Sequence, residues 1–348
     1  MPTSRSAFKL FFALAFSIAG LLGSGCSTES ENSGEPSGSQ ELTVYSGRGK
    51  SLVEPLIVKF QEETGITVNV RYGDTAPLAL SLIEEGDLSP ADIYWAQDAG
   101  ALGAVQDAGL FTVLPEELMN RISVGLKSPS GHWAGTSGRA RVLAFSPSRL
   151  NPGDLPDQIL DLADVRYKDR IGWAPTNGSF QAAVSGMRHI LGETKTRKWL
   201  NDMQANGVKS YGNNRGIIEA IANNEIDLGI PNHYYLYRYK KDDPDYPVDQ
   251  KFFAPGDPGN MVNVAGVGIL KTSSNESAAI RFVDFLLSAD SQAYFANTTY
   301  EYPVVAGIEP STELEELDRL DDLRPSFDLG EIKDLSVTLE LLRDTEIL

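Results

Sequence analysis

From residue 41 onward the apolar positions switch repeatedly between a period of two and a helical period, which predicts alternating strands and helices. Leu42-Thr43-Val44-Tyr45 is a short strand that ends at Ser46-Gly47-Arg48-Gly49. Leu52, Val53, Leu56, Ile57 and Phe60 then recur at helical spacing, and Gly65 stops that helix. Ile66, Val68 and Val70 alternate as a second strand. Pro77 to Glu85 reads as a helix with Leu78, Leu82 and Ile83 inward, ended by Gly86. Ala91 to Trp95 is a third strand, and Ala99 to Ala108 a further helix. The order β-α-β-α-β predicts a parallel sheet covered by helices.

Trp133 to Phe145 is extended in character, and Ile171 to Ala174 is a strand that runs through Pro175-Thr176-Asn177-Gly178-Ser179-Phe180 into a helix. Met261 to Leu270 is a second long apolar strand, and alternation resumes to the end, with acidic helices from Leu314 onward. Between them, Ile226 to Ile230 reads as a short buried strand ending at Pro231-Asn232-His233-Tyr234-Tyr235-Leu236-Tyr237-Arg238-Tyr239. Tyr234 and Tyr235 thus follow a strand end, where α/β proteins place ligand-binding residues. Phenolate is a hard oxygen donor that suits hard cations such as ferric iron. A metal beside it can ionise a phenol that otherwise titrates near ~10. The alternative is packing, because Tyr235, Tyr237 and Tyr239 alternate as one face of a strand would.

Composition narrows the class. The 348 residues suffice for two domains or one large one, and 41% hydrophobic content describes an ordinary globular protein. A formal net charge of −18 argues against nucleic acid as a partner. At the N-terminus, Arg5 and Lys9 flank the start of an apolar run from Phe8 through Leu22, followed by Gly23-Ser24-Gly25-Cys26-Ser27, the pattern of a secretory signal. Cys26 is the only cysteine, so no internal disulfide forms. Its setting resembles a bacterial lipoprotein box, although Gly23 stands where leucine is usual. Lipidation there would anchor the protein to a membrane; a plain cleavage site is the other reading. Residues 27–40 carry no large apolar side chain and read as a flexible linker.

Catalytic motifs are not met. Gly47-Arg48-Gly49-Lys50-Ser51 fails as a phosphate loop because Val44 stands where its first glycine belongs. Gly135-Thr136-Ser137-Gly138 lacks the spacing of a nucleophile elbow. His132, His189 and His233 are too far apart in sequence for a ligand motif, so a zinc site is not expected. Arg139 and Arg141, within a β-rich run, call for a carboxylate or another oxyanion. Asn177, Gly178 and Ser179 at a helix start expose backbone N–H groups that suit an anion, or serve as an ordinary cap.

In order along the chain, Thr43-Val44-Tyr45-Ser46-Gly47, Glu62-Glu63-Thr64-Gly65-Ile66, Pro90-Ala91-Asp92-Ile93, Ser137 to Val142, Asn232 to Tyr237, Asp257-Pro258-Gly259 and Glu301-Tyr302-Pro303 resemble the bacterial periplasmic ferric-ion-binding proteins. The resemblance covers nearly everything after the linker. It implies an α/β, type II periplasmic-binding-protein fold, two lobes joined by crossing hinge strands, with the runs around 139–145 and 262–270 as the crossings. The implied organisation is a signal of lipoprotein type at 1–26, a linker at 27–40, a first lobe from 41–138 and 265–303, a second from 139–264, and C-terminal helices at 304–348. The implied role is not enzymatic: Fe(III) is captured outside the cytoplasm with a synergistic anion, phosphate or carbonate, and delivered to an ABC transporter permease by a monomer. The family's tyrosine ligands fall on Tyr234 and Tyr235, and its phosphate contacts on Asn177, Gly178, Ser179, Asn214, Asn232 and Asp98. Members that hold carbonate use an arginine at the place of Arg139. Gly49 and Gln97 stand where many members carry histidine and glutamate ligands. Gln97 keeps a carbonyl oxygen to offer, and Tyr45, Tyr94, Tyr237 and His233 are further candidates. The alternative is the same fold binding a small phosphorylated or carboxylated solute without iron.

Overall fold

The computed structural model describes residues 41–308, 322–326, 329 and 335–348. The signal, Cys26, the linker and the start of the acidic C-terminal stretch lie outside the described residues. In chain order the first part gives β1 (Glu41–Ser46), α1 (Lys50–Thr64), β2 (Thr67–Tyr72), α2 (Thr75–Glu85), β3 (Ile93–Ala96), α3 (Ala99–Asp107), a single turn α4 (Glu116–Met119) and β4 (Ala134–Ala140). The middle gives β5 (Leu143–Phe145), β6 (Ile171–Trp173), α5 (Gly178–Leu191), α6 (Glu193–Ala205), β7 (Lys209–Ser210), α7 (Asn214–Ala222), β8 (Leu228–Gly229), α8 (Tyr234–Asp242) and β9 (Asp249–Lys251). The last part gives β10 (Val262–Ile269), α9 (Glu276–Leu286), α10 (Ala289–Tyr294) and α11 (Leu335–Asp344).

The strands form two sheets, in the orders β2-β1-β3-β10-β4 and β7-β6-β8-β5-β9. In each, the βαβ strands run parallel, and a strand entering from the crossing region adds antiparallel. The fold is therefore two α/β lobes. Each has its own apolar core. In the first, Phe60 meets Phe282 edge-on with ring centroids 5.0 Å apart, and Trp95 packs on the same ring at 5.9 Å. In the second, Trp173 packs against Phe180 at 5.4 Å and Trp199 at 6.2 Å. Helix α1 ends as its sequence dictates: Gly65 takes φ 71°, and its N–H closes on the Gln61 carbonyl.

Four details differ from the sequence reading. Ile83 is 38% exposed, and Ala79 takes the inward position on α2. The run from Trp133 to Phe145 is two strands in different sheets, broken at Arg141 and Val142. Strand β10 lies wholly in the first sheet, so the return from the second sheet is made before it, between Lys251 and Val262. Finally, Tyr234 to Tyr239 form the start of a helix, so the alternation of Tyr235, Tyr237 and Tyr239 is not that of a strand face.

The two crossings run side by side, with the Arg141 N–H donating to the Met261 carbonyl at 3.0 Å. The C-terminal segment touches both lobes. Tyr302 pairs with Gly138 and Val305 with Ile122, whereas α11 packs on α5, where the Thr338 and Ser185 hydroxyls are 2.6 Å apart.

Beneath the crossing sits a fully buried ion pair. Arg48, just after β1, bonds Glu301 through both terminal nitrogens, at 3.1 and 2.7 Å. Ser137 of β4 donates to the same carboxylate at 2.5 Å, and Gln97, after β3, accepts from Arg48 at 2.8 Å. Burial pushes the Glu301 carboxyl up, but Arg48, Arg139 and Ser137 outweigh it and hold the group below its usual range. Arg48→Met would leave a carboxylate buried without its bidentate partner. We expect a loss of about 3–5 kcal/mol in urea unfolding, the cost typical of breaking one half of a buried pair.

Candidate functional site

Between the lobes lies a cleft of about 910 Å³. Gln97, Asp98, Arg139, Asn177, Gly178, Ser179, Asn214, Asn232, Tyr234 and Tyr235 all line it, so residues spread over 139 positions of sequence meet in one place. The first turns of α2, α3, α5, α7 and α8 open onto it as well. This follows from the topology: strand ends feed helix starts on one side of each sheet. The amide dipoles of five helices thereby favour negative charge in the cleft.

Helix α8 begins where the chain leaves β8 and touches the first crossing. The His233 N–H donates to the Ala140 carbonyl at 3.0 Å, and Asn232 bridges to Arg141. The His233 ring is then consumed by backbone: Nδ1 accepts from the Ala140 N–H at 3.1 Å, and Nε2 donates to the Tyr300 carbonyl at 2.8 Å. It is a joint between segments rather than a metal donor. Immediately beyond, Tyr234 is 5% exposed and Tyr235 half-buried, with ring centroids 4.3 Å apart and the planes tilted by 29°. Burial pushes the Tyr234 phenol well up; the neighbouring Tyr235 adds to this and Arg139 opposes it. Without a bound cation that phenol is neutral at physiological pH, and a strong Lewis acid is what would take its proton.

Near the tyrosines is a cationic, amide-rich wall. Arg139 Nη2 donates to the Gln97 carbonyl, and its Nη1 is buried with no hydrogen-bond partner. Arg141 donates to the Ile230 carbonyl and, at 3.2 Å, to Ser179 Oγ. Burial lowers the Arg141 guanidinium to about 10, which leaves it charged at neutral pH. Asn177 caps α5, its Oδ1 accepting from the Ser179 N–H at 3.1 Å and hydroxyl at 2.6 Å. Asn214 reaches both residues at 3.4 Å, and its own Oδ1 is buried without a partner. The wall thus holds one unused donor and one unused acceptor, the signature of a seat for a polar group.

Other candidates do not join the cleft. The Tyr45 hydroxyl bonds Glu85 at 3.2 Å, that of Tyr94 bonds the Thr75 carbonyl at 2.7 Å, and Tyr237 stacks on Tyr300. Asp98 is in the cleft but caps α3 through the Ala101 N–H at 2.9 Å; burial pushes its carboxyl up, against the pull of that bond and of Arg139. Among the described residues no three His, Cys, Asp or Glu cluster as metal ligands. A metal held here would rely on tyrosine. The sequence reading missed Gly47 and Thr75, whose close approach admits no side chain at residue 47: a Cβ there would sit 2.2 Å from Thr75 Oγ1. It also missed Leu335, Ser336 and Leu339 of α11, which form part of the cleft wall.

Two lobes, a cleft at their helix starts and paired crossings define a two-lobed periplasmic binding protein. The chain belongs to the bacterial extracellular solute-binding protein family, whose sequence model matches residues 89–327. It is a binding component of transport rather than an enzyme, and the family works with ABC transporter permeases. Iron uptake protein A2 of Synechocystis is 37% identical over 281 residues, covering 78% of this chain and 80% of that one. The major ferric iron-binding protein of Neisseria meningitidis is 31% identical over 288 residues, 81% of this chain and 86% of the relative. Iron-bound HitA from Pseudomonas aeruginosa superposes with a TM-score of 0.82 at 32% identity, covering 88% of this chain and 99% of HitA. Trichodesmium FutA, in complex with iron and citrate, gives 0.78 at 28% identity, covering 88% of this chain and all of that one.

The buried joint makes a pH prediction for the metal-free protein. Burial lowers the His233 pKa from 6.5 to about 4. The unfolded chain therefore takes up a proton near 6.5 that the folded chain refuses until about 4. Its contribution is intact above 6.5 and is lost as pH falls through that window, by about 3 kcal/mol at most. Urea midpoints measured from pH 7 to 4 should fall accordingly, and His233→Gln should flatten that fall whatever it costs in absolute stability.

Proposed function

We propose that this protein captures Fe(III) outside the cytoplasm together with a small oxyanion and delivers it to an ABC permease for iron uptake. The observation that carries the reading is the stacked Tyr234–Tyr235 pair in a cleft that also holds a buried guanidinium nitrogen, Arg139 Nη1, with no partner. Two phenolates supply hard, anionic donors to a hard trivalent ion. Gln97 Oε1 accepts from Arg48 and keeps one lone pair, so it is a subsidiary donor at best. The positions of the family's histidine and glutamate ligands are Gly49 and Gln97 here, so oxygens of the anion or of water are needed to complete the coordination. Phosphate or carbonate is the anion this wall suits: Arg139 Nη1, Asn232 and the Gly178 N–H offer donors, Ser179 and Asn214, bonded to Asn177 in the empty cleft, stand beside them, and Asp98 bounds the seat. The iron-and-citrate complex of the Trichodesmium relative supports an oxyanion beside the metal.

In this reading the first lobe comprises residues 41–138 and 265–303 and the second 139–264, with the first sheet reaching two residues further, to Ala140, and resuming at Val262. Lipidation of Cys26 would keep the protein at the outer membrane face of the permease, and it acts as a monomer. Metal-free binding of a small phosphorylated or carboxylated solute is the second reading, favoured by the two unpaired polar atoms of the wall and by the engagement of Gln97 with Arg48.

Visible spectroscopy during titration with ferric nitrilotriacetate in phosphate or carbonate buffer separates the two. A tyrosinate-to-iron charge-transfer band, absent from the Tyr234→Phe/Tyr235→Phe double variant, is expected. Tyr235→Phe alone should weaken ferric binding by more than about a hundredfold, beyond what loss of an outer contact costs. Tyr239→Phe, whose hydroxyl bonds Glu219 outside the cleft, should bind as wild type does. No band, with thermal stabilisation by inorganic phosphate alone, would establish the second reading. Arg139→Met should abolish the dependence of iron binding on the anion, measured by omitting phosphate and carbonate.

A further inference from the structure

We propose that Arg238 is a positioning residue for the iron site, a cation placed behind the tyrosine pair that strengthens binding only of a metal that ionises both phenols. The inference rests on the ferric reading above. On α8, Arg238 follows Tyr234 by four residues and Tyr235 by three, so it shares their face of the helix. Its guanidinium lies 4.6 Å from the centre of the Tyr234 ring and 5.8 Å from that of Tyr235. Its Nη2 also donates to the Thr299 carbonyl at 3.4 Å, which ties the tyrosine helix to the segment leading into Glu301.

What sets Arg238 apart is its charge balance. Every other cation over a tyrosine ring among the described residues has a carboxylate alongside: Lys50 has Glu54, Arg71 has Glu85, Arg166 has Asp164 and Arg215 has Glu219. Arg238 makes no such ion pair among the described residues. Its charge faces two aromatic surfaces that carry negative charge once both oxygens bind a trivalent ion as phenolates. The attraction between a guanidinium and a ring is modest when the ring is neutral and grows when the ring is an anion. Arg238 therefore contributes little to the empty protein and more to the loaded one. A divalent ion that leaves the phenols protonated gains nothing from it, so the residue biases the site toward hard trivalent cations.

The test uses the full soluble chain loaded with ferric nitrilotriacetate, in wild type and in Arg238→Gln, Arg238→Met and Arg238→Lys. Removing the cation raises the energy of the phenolate electrons, so the charge-transfer maximum should move to longer wavelength in the Gln and Met variants. Ferric iron should then pass to competing citrate about tenfold more readily, the scale of an outer-shell effect. Arg238→Lys should return both readouts toward wild type, and thermal unfolding of the metal-free variants should change little. The Met variant keeps the apolar stem and replaces Gln if the latter does not fold. A wild-type band that is unmoved in both neutral variants, with unchanged iron retention, overturns the role of Arg238. Absence of a band in wild type overturns the ferric reading itself, a distinct result.

Discussion

Glu301 is a carboxylate with no contact to water, set among cations, and it ties together segments that border the cleft. It binds Arg48 through two hydrogen bonds, takes a third from Ser137 and lies within the field of Arg139. Four separate segments are joined through Glu301 and Arg48 together: the end of β1, the end of β3, strand β4 and the turn before Tyr302. A carboxylate can be kept charged in such a place only if the cations around it stay in register. Arg139, bonded to the Gln97 carbonyl at the edge of this cluster, is left with one buried nitrogen unmatched in the cleft.

The same economy appears in His233. In sequence it stands next to the tyrosines and invites a ligand role. In the fold both ring nitrogens are bound to main chain, one to Ala140 at the crossing and one to Tyr300 beside Glu301. The start of α8 is thereby clamped to the first crossing strand and to the Glu301 segment together, so the tyrosine oxygens are presented by a rigid base.

Much of the fold was legible because strands and helices here keep clean periods: Leu42 to Tyr45, the α1 stripe ending at Gly65, and the alternation of Ile66, Val68 and Val70 all describe real elements. Misreadings arose where a local pattern was short or where distance in sequence hid a contact. Six residues from Tyr234 to Tyr239 fit a period of two about as well as a helical turn, and only the preceding contacts of Asn232 and His233 decide for the helix. The extended run through Arg141 carries no sign of its break, because the change of sheet is set by partners 91 and 120 residues away, Asn232 and Met261. Nine of the ten candidate residues gathered because each follows a strand, a rule of topology that sequence can supply; Arg139 lies within β4 itself. The part played by Leu335 and Leu339 could not be seen, since nothing in a surface helix announces which groove it will border.

The cationic wall and the converging helix starts are set inside a molecule whose formal charge is −18. An anionic ferric chelate drifting toward the cleft is first repelled by the acidic exterior and attracted only close in. Dissolved salt shortens the reach of both fields, to about 8 Å at physiological strength. The outer repulsion acts over the longer path and is weakened more. Were iron to arrive as a negatively charged complex, its capture would be quickened by rising ionic strength, the reverse of ordinary electrostatic steering.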